Sequence, residues 1–243
     1  MMDIIALGPA GFKPWLREAM RALAAHVRER DGQLSTDIVS AYFERQELVG
    51  YEPYSDVVAS GSPIYVPILQ RSLALAQIER AKSVLDFGCG RGDLLPLIRN
   101  SSSQVHYVGY DQNHLQIKRL QGLVKDACEF VSDAPTAEFD VVCAVNVLCY
   151  TNENDLSSFI TRLVHAVRPG GRLILADPWP AWYWETKFDG IRLQLRPPNA
   201  LDDLLSDTHL SCEDLSLASL SRLGTRPLVP IAWSTTWTRR DVP

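Results

Sequence analysis

Three glycines at alternate positions, Gly88, Gly90 and Gly92, stand between an apolar run, Val84-Leu-Asp-Phe87, and Asp93. A backbone this rich in glycine turns sharply and lies against a ligand with no side chain in the way. The spacing is GxGxG. A pyrophosphate loop reads GxGxxG, and Asp93 occupies the place of its third glycine. With Asp86 before the loop and Asp93 after it, the site repels a dianionic phosphate and suits a sugar or an ammonium group. Asp111, nineteen positions beyond Gly92, ends a second apolar run and can accept both hydrogen bonds of a ribose 2′,3′-diol. Asp133, in Val131-Ser-Asp-Ala134, follows a third short run, where an adenine amino group would lie.

Two further segments carry groups able to do chemistry. In Val145-Asn-Val-Leu-Cys-Tyr150 the Asn146 amide can hold an amine or a carboxylate, with Cys149 and Tyr150 beside it. The plainer alternative is that Val147, Leu148 and Cys149 pack a helix start that Asn146 caps, since free cysteine usually behaves as a small hydrophobe. Trp179, Trp182, Tyr183 and Trp184 fall within six residues, just past the run ending at Ala176. Aromatic faces attract a sulfonium or ammonium cation, worth roughly 0.5–2 kcal/mol each when desolvated. The same rings can instead fasten the N-terminal helices to the core, because a bare aromatic cluster invites aggregation. Tyr183 is its best polar candidate, since a buried hydroxyl needs a partner. Tyr51, Tyr54 and Tyr65 offer further rings from the N-terminal side. No histidine is placed as a base: His106 heads a strand and His165 lies in a helix at the far edge. An acceptor hydroxyl would need a base, whereas an amine need only be neutral and aligned.

These residues require elements to hold them. Ser83–Phe87, Val105–Tyr110, Phe139–Val145 and Arg172–Ala176 read as buried strands, separated by helices near His114–Lys125 and Asp155–Val167. Strand and helix alternating at that spacing imply an α/β fold with a parallel sheet covered on both faces. Leu210–Leu217 and Val229–Thr238 predict an antiparallel pair at the sheet edge. The first eighty residues read as helical: Leu16, Met20, Leu23, Ala24 and Val27 recur at helical spacing. A second helix starts near Ser35 to Asp37, and a third spans about Ile64 to Arg80, after a Gly-, Pro- and Tyr-rich loop from Gly50 to Pro67. The expected division is a helical cap or lid over 1–80 and a ligand-binding catalytic domain over 81–243.

Composition narrows the function classes. The 243 residues carry 24 Lys plus Arg against 29 Asp plus Glu, a net charge of -5, which argues against nucleic-acid or acidic-membrane partners. A hydrophobic fraction of 46% excludes low-complexity disorder. No apolar run reaches transmembrane length, and Ile4–Leu7 is too short for a signal peptide. Five scattered cysteines without a CxxC pair suggest neither a zinc site nor a disulfide framework, and hence a cytoplasmic protein.

Asp86-Phe-Gly-Cys-Gly-Arg-Gly92, Tyr110-Asp111, Phe139-Asp-Val-Val142 and Val167-Arg-Pro-Gly-Gly-Arg-Leu173 resemble, in order and spacing, the motifs of class I S-adenosylmethionine (SAM)-dependent methyltransferases. The resemblance covers about residues 82–177. It implies a Rossmann-like, seven-stranded, mostly parallel sheet with one antiparallel strand, under an N-terminal helical cap. It places the amino-acid portion of SAM at Gly88 and Gly90, the ribose at Asp111 and the adenine at Asp133, with Asp86, Cys89, Gln112 and Ala134 also among the cofactor-binding residues. Ala144 to Asn146 would face the sulfonium, with Tyr54 and Trp182 closing over it and Asn146, Tyr183 and Cys149 nearest the chemistry. The expected reaction is methyl transfer to a small molecule, with a homodimer as one compatible assembly. A second reading stays open: in the azetidine-2-carboxylate synthases, which the chain also resembles, SAM's own amine attacks its γ-carbon and methylthioadenosine leaves.

Overall fold

The computed structural model describes residues 2–7, 65–123, 128–178, 194–206, 208–220 and 229–240. In chain order the elements are β1 (Met2–Leu7), α1 (Tyr65–Leu75), β2 (Ser83–Phe87), α2 (Leu95–Ser101), β3 (His106–Tyr110), α3 (His114–Leu123), β4 (Cys128–Val131), β5 (Phe139–Val145), α4 (Glu153–Ala166), β6 (Val167–Pro178), α5 (Asp202–Ser206), β7 (Leu210–Leu220) and β8 (Val229–Arg239). The strands form one sheet in the order β1-β7-β8-β6-β5-β2-β3-β4.

Strands β2 to β6 run parallel to their neighbours β2-β3, β3-β4, β2-β5 and β5-β6. They are the segments whose sequences are continuously apolar, as burial on both faces requires. β8 runs antiparallel to β6 on one side and β7 on the other. Strands β2 to β8 are thus the expected seven, with β8 reversed. Two expectations are corrected. The C-terminal pair is antiparallel as expected, but it is not the sheet edge, because β1 lies outside β7. Met2–Leu7, within the region read as helical, is a strand antiparallel to β7 from Met2↔Leu220 to Leu7↔Leu215. It satisfies main-chain groups that β7 would otherwise present along an open edge.

Two cores flank the sheet. On one face Leu69 and Leu73 of α1, Leu95, Leu97 and Ile98 of α2, and Ile117 and Leu120 of α3 cover Val84, Tyr107, Val141 and Ile174. On the other, α4 and α5 cover Leu85, Val108, Val142, Leu173 and Trp233. α4 shows the local logic: the Asn152 side chain accepts from the Asp155 amide at 2.9 Å, and Leu156, Phe159, Ile160, Leu163 and Val164 make one apolar stripe. α1 is held by polar contacts as well. Arg71 donates twice to Asp214 (3.0 and 3.2 Å), and the hydroxyls of Ser72 and Ser234 share a buried hydrogen bond of 2.7 Å. The helix therefore packs into the same core as α2 and α3, although the expected cap boundary falls after it. The two helices expected between Lys13 and Phe43 lie outside the described residues.

Candidate functional site

The loops after β2, β3, β4 and β5 meet at the carboxyl edge of the sheet, where ligands of open parallel sheets bind. The amides of Gly88 and Cys89 both donate to the Tyr110 carbonyl at the end of β3, at 2.7 and 2.8 Å. Gly88 (φ +79°), Gly90 (φ +50°) and Gly92 (φ +77°) all hold left-handed backbone. Their surroundings differ in a telling way. A Cβ on Gly88 would lie 2.5 Å from a Val147 methyl, so the loops after β2 and β5 touch there. A Cβ on Gly90 would meet nothing within 4 Å, so this glycine borders open space.

Asp111 locks the loop to the end of β3. Its Oδ2 accepts from the Gly90 amide and its Oδ1 from the Asn113 amide, both at 2.9 Å. Each oxygen keeps a lone pair for a ligand hydroxyl. Burial raises the Asp111 carboxyl above the usual range, against the pull of those two amides. Gln112, exposed beside it, extends the same edge. Asp133 and Ala134 are exposed in the turn after β4, tied to this edge through the Asp111 amide, which donates to the Val131 carbonyl at 3.2 Å.

Asp86 lies beneath the loop and is almost fully buried. Burial pushes its carboxyl up to about 7, reinforced by the charges of Asp111 and Asp93 and opposed by the Tyr107 hydroxyl, which donates to Oδ2 at 2.6 Å. Asp93 is also raised by burial, against its ion pair with Arg91 at 3.0 Å, and its Oδ1 is buried without a partner. Three carboxyls strained toward neutrality at one edge favour an incoming cation. Cys89 turns its side chain inward, with Sγ 3.0 Å from where a Cβ on Gly109 would stand. Only its main chain remains to meet a ligand.

After β5, Ala144 is fully buried inside the strand, among the core residues of the α4 face, so it is Asn146 that reaches the surface. Asn146 holds φ +57°, rare for a non-glycine residue, with its amide fixed to the Ala176 carbonyl at 2.8 Å. Cys149 is 1% exposed in the 3-10 turn Leu148–Tyr150, and burial pushes its thiol far above the ordinary range. It is a packing thiol rather than a nucleophile. Tyr54, Trp182 and Tyr183 lie outside the described residues.

The structure brings in residues that sequence reasoning missed. Tyr107 reaches Asp86 diagonally across β2 and β3, from two residues before Gly109, which stands opposite Asp86. Arg196, 2% exposed, spends all five of its N–H donors on the turn after β5, on Gln194 and on Glu153. Asp177, at the end of β6, is fully buried, and neither of its oxygens makes a well-formed hydrogen bond. A pairing rule for neighbouring strands would have found Tyr107, but nothing local distinguishes a buried arginine from an exposed one. Asp140 and Arg168, both within the motifs that carry the resemblance, form an ion pair at the opposite edge. There the Asp140 carboxylate also accepts from the Lys82 and Ser83 amides, so these two residues stitch β2, β5 and β6 together.

The family described as a methyltransferase domain matches residues 64–214, and the chain belongs to that family. A ubiquinone biosynthesis O-methyltransferase of Idiomarina loihiensis is 29% identical over 103 residues, covering 39% of this chain and 42% of that protein. A ribosomal protein L11 methyltransferase of Ralstonia nicotianae is 31% identical over 103 residues, covering 41% of this chain and 33% of that protein. The matches thus span less than half the length of these curated relatives. Among solved structures, magnesium protoporphyrin IX methyltransferase of Synechocystis with bound S-adenosylhomocysteine (SAH) superposes with a TM-score of 0.61 at 18% identity, over 84% of this chain and 98% of that one. The N-methyltransferase NodS of Bradyrhizobium japonicum, also with SAH, gives 0.59 at 12% identity, over 82% and 99%. These likenesses show the class I methyltransferase fold.

Proposed function

We propose that the protein is a SAM-dependent methyltransferase acting on a small molecule. The observation that carries this reading is the Asp111 carboxylate, which ties down the Gly90 amide while Gly90 itself borders open space. A diol donating to Asp111 and an amino-acid portion lying along Gly88 and Gly90 fit that cradle. The raised carboxyls of Asp86, Asp93 and Asp111 suit the positive charges of SAM better than a phosphate.

When bound, SAM supplies a sulfonium whose methyl carbon is open to in-line displacement. The chain's own task is then positioning and exclusion of water. Asp111 and the Gly88–Gly90 backbone fix the nucleoside and amino-acid portions, and the Asn146 amide, set outward by its left-handed backbone, orients the acceptor. An acid-lined edge on a chain of pI near 5.5 fits a small acceptor rather than a polyanion.

One observation favours a second reading. Asn146 offers a neutral amide, able to accept from and hold an amine but not to take its proton. That also suits cyclisation, in which SAM's amine nitrogen bonds to its γ-carbon, the γ-carbon–sulfur bond breaks, methylthioadenosine leaves and the amine loses a proton to water. Incubating the pure protein with SAM and no acceptor, followed by mass spectrometry, separates the two. Unconsumed SAM supports the methyltransferase reading, to be completed by SAH formation on adding acceptors. Methylthioadenosine with a four-membered cyclic amino acid replaces it with cyclisation. Failure to bind SAM or SAH overturns both.

A further inference from the structure

Behind Asn146 lies a buried polar assembly that the proposed reaction does not use. Arg196 donates to the carbonyls of Leu148 (2.7 Å) and Thr151 (2.6 Å), to both oxygens of Gln194 (3.1 and 2.5 Å) and to Glu153 of α4 (3.2 Å). The Gln194 amide donates to the Cys149 carbonyl at 2.8 Å, and Trp233 of β8 donates to the Arg196 carbonyl at 2.9 Å. The turn after β5 is therefore clamped by the segment 194–196, from below and from the side.

Asp177 sits against this clamp with no exposure, opposite Trp233 in the β6–β8 register. Its carboxyl faces the Cys149 thiol and the Val147 and Cys149 amides without forming a good hydrogen bond to any of them. Among the described residues, the titratable and charged groups around it are Cys149 from the turn and Arg196 from the segment before α5, with Glu153 of α4 meeting Arg196 from its other side. Arg196 is the one cation in that set, and its five donors are all committed. A carboxylate formed here competes for Arg196: drawing a guanidinium N–H away from the Leu148 or Thr151 carbonyl unpins the turn.

We propose that Asp177 is a protonation-dependent positioning residue, whose neutral carboxyl lets Arg196 hold the turn after β5 and whose ionisation releases it. Burial is the larger influence on this group, pushing its carboxyl up to about 8 against the attraction of Arg196. The release therefore falls just above neutral pH. Its consequence for turnover rests on the reading of Asn146 as the acceptor-side residue, but the latch itself needs no acceptor.

The test is hydrogen-exchange mass spectrometry on the full chain between pH 6 and 9, corrected for intrinsic exchange and run beside SAH calorimetry. In the wild type, protection of the 146–151 amides should fall at least tenfold from pH 7 to pH 9, while Leu156–Leu163 of α4 stays unchanged. Asp177→Asn should flatten the profile at the high-protection level, and Arg196→Lys should leave the turn poorly protected at every pH. A flat wild-type profile, or an unaltered pH dependence in Asp177→Asn, overturns the proposal. The wild-type profile decides alone if the variant does not fold. Absence of SAH binding at pH 7 would instead strike the SAM reading and leave the exchange result standing.

Discussion

A methyl group added at Gly88 tests whether the two halves of the site are in contact. In Gly88→Ala the new Cβ meets Val147 Cγ2 at 2.5 Å and Cγ1 at 3.0 Å, while the backbone stays at φ +79°. Two terms follow. Left-handed backbone costs a Cβ-bearing residue roughly 1–2 kcal/mol, and forcing an extra carbon into a packed contact adds roughly 1–3 kcal/mol. Gly88→Ala alone should therefore destabilise by about 2–5 kcal/mol. Val147→Ala removes both clashing methyls and leaves only the Val147 Cβ, 3.4 Å away in ordinary contact. On that background Gly88→Ala should cost only its backbone strain, so the cycle predicts a favourable coupling of about 1–3 kcal/mol. Denaturant unfolding of the four proteins, with equal m-values, measures it. SAH affinity should fall in Gly88→Ala and recover in the double variant. Additivity within about 0.5 kcal/mol would refute the contact and with it the placement of the turn after β5 against the glycine loop.

Three further outcomes are expected. Asp111→Ala should weaken SAM binding by about 1–3 kcal/mol, through ribose hydroxyls left without an acceptor and a Gly90 amide left unpaired; calorimetry showing unchanged affinity would remove the ribose from this position. The folded protein holds the Asp86 proton more tightly than the unfolded chain does, so this group's stabilising contribution is complete below about pH 4 and is lost as pH rises to about 7. Asp86→Asn should therefore gain on the wild type by up to about 1.4 kcal/mol per pH unit across that window. Tyr107→Phe should be more destabilising at pH 8 than at pH 5, because its hydroxyl serves the charged carboxylate, and equal cost at both pH values would contradict the assignment.

Much of this architecture was legible in the chain, for physical reasons that can be named. β2 and β5 are buried on both faces, so Ser83–Phe87 and Phe139–Val145 had to be unbroken apolar runs, and both begin and end where the sequence places them. Gly88, Gly90 and Gly92 were conspicuous because left-handed backbone excludes most other residues. Asp111 was legible because its role depends only on its place at a strand end. Met2–Leu7 was not, since six residues of mixed character become a strand only when β7 offers them an edge. Nor could spacing tell that Ala144 points into the core while Asn146, two residues on, stands at the surface in left-handed backbone.

The alternation of strands and helices from β2 to β6, the glycine turn and the acid that meets it were determined by the sequence alone, because each depends on local backbone preference or on a periodic burial pattern. Only the tertiary structure decided how groups far apart in the chain share one environment. It sets Tyr107 on Asp86, Val147 against Gly88, and Arg196 across the turn that Asp177 underlies. Burial and the exhaustion of hydrogen-bond partners make those carboxyls unusual, and both are properties of the packed neighbourhood that no stretch of sequence carries by itself.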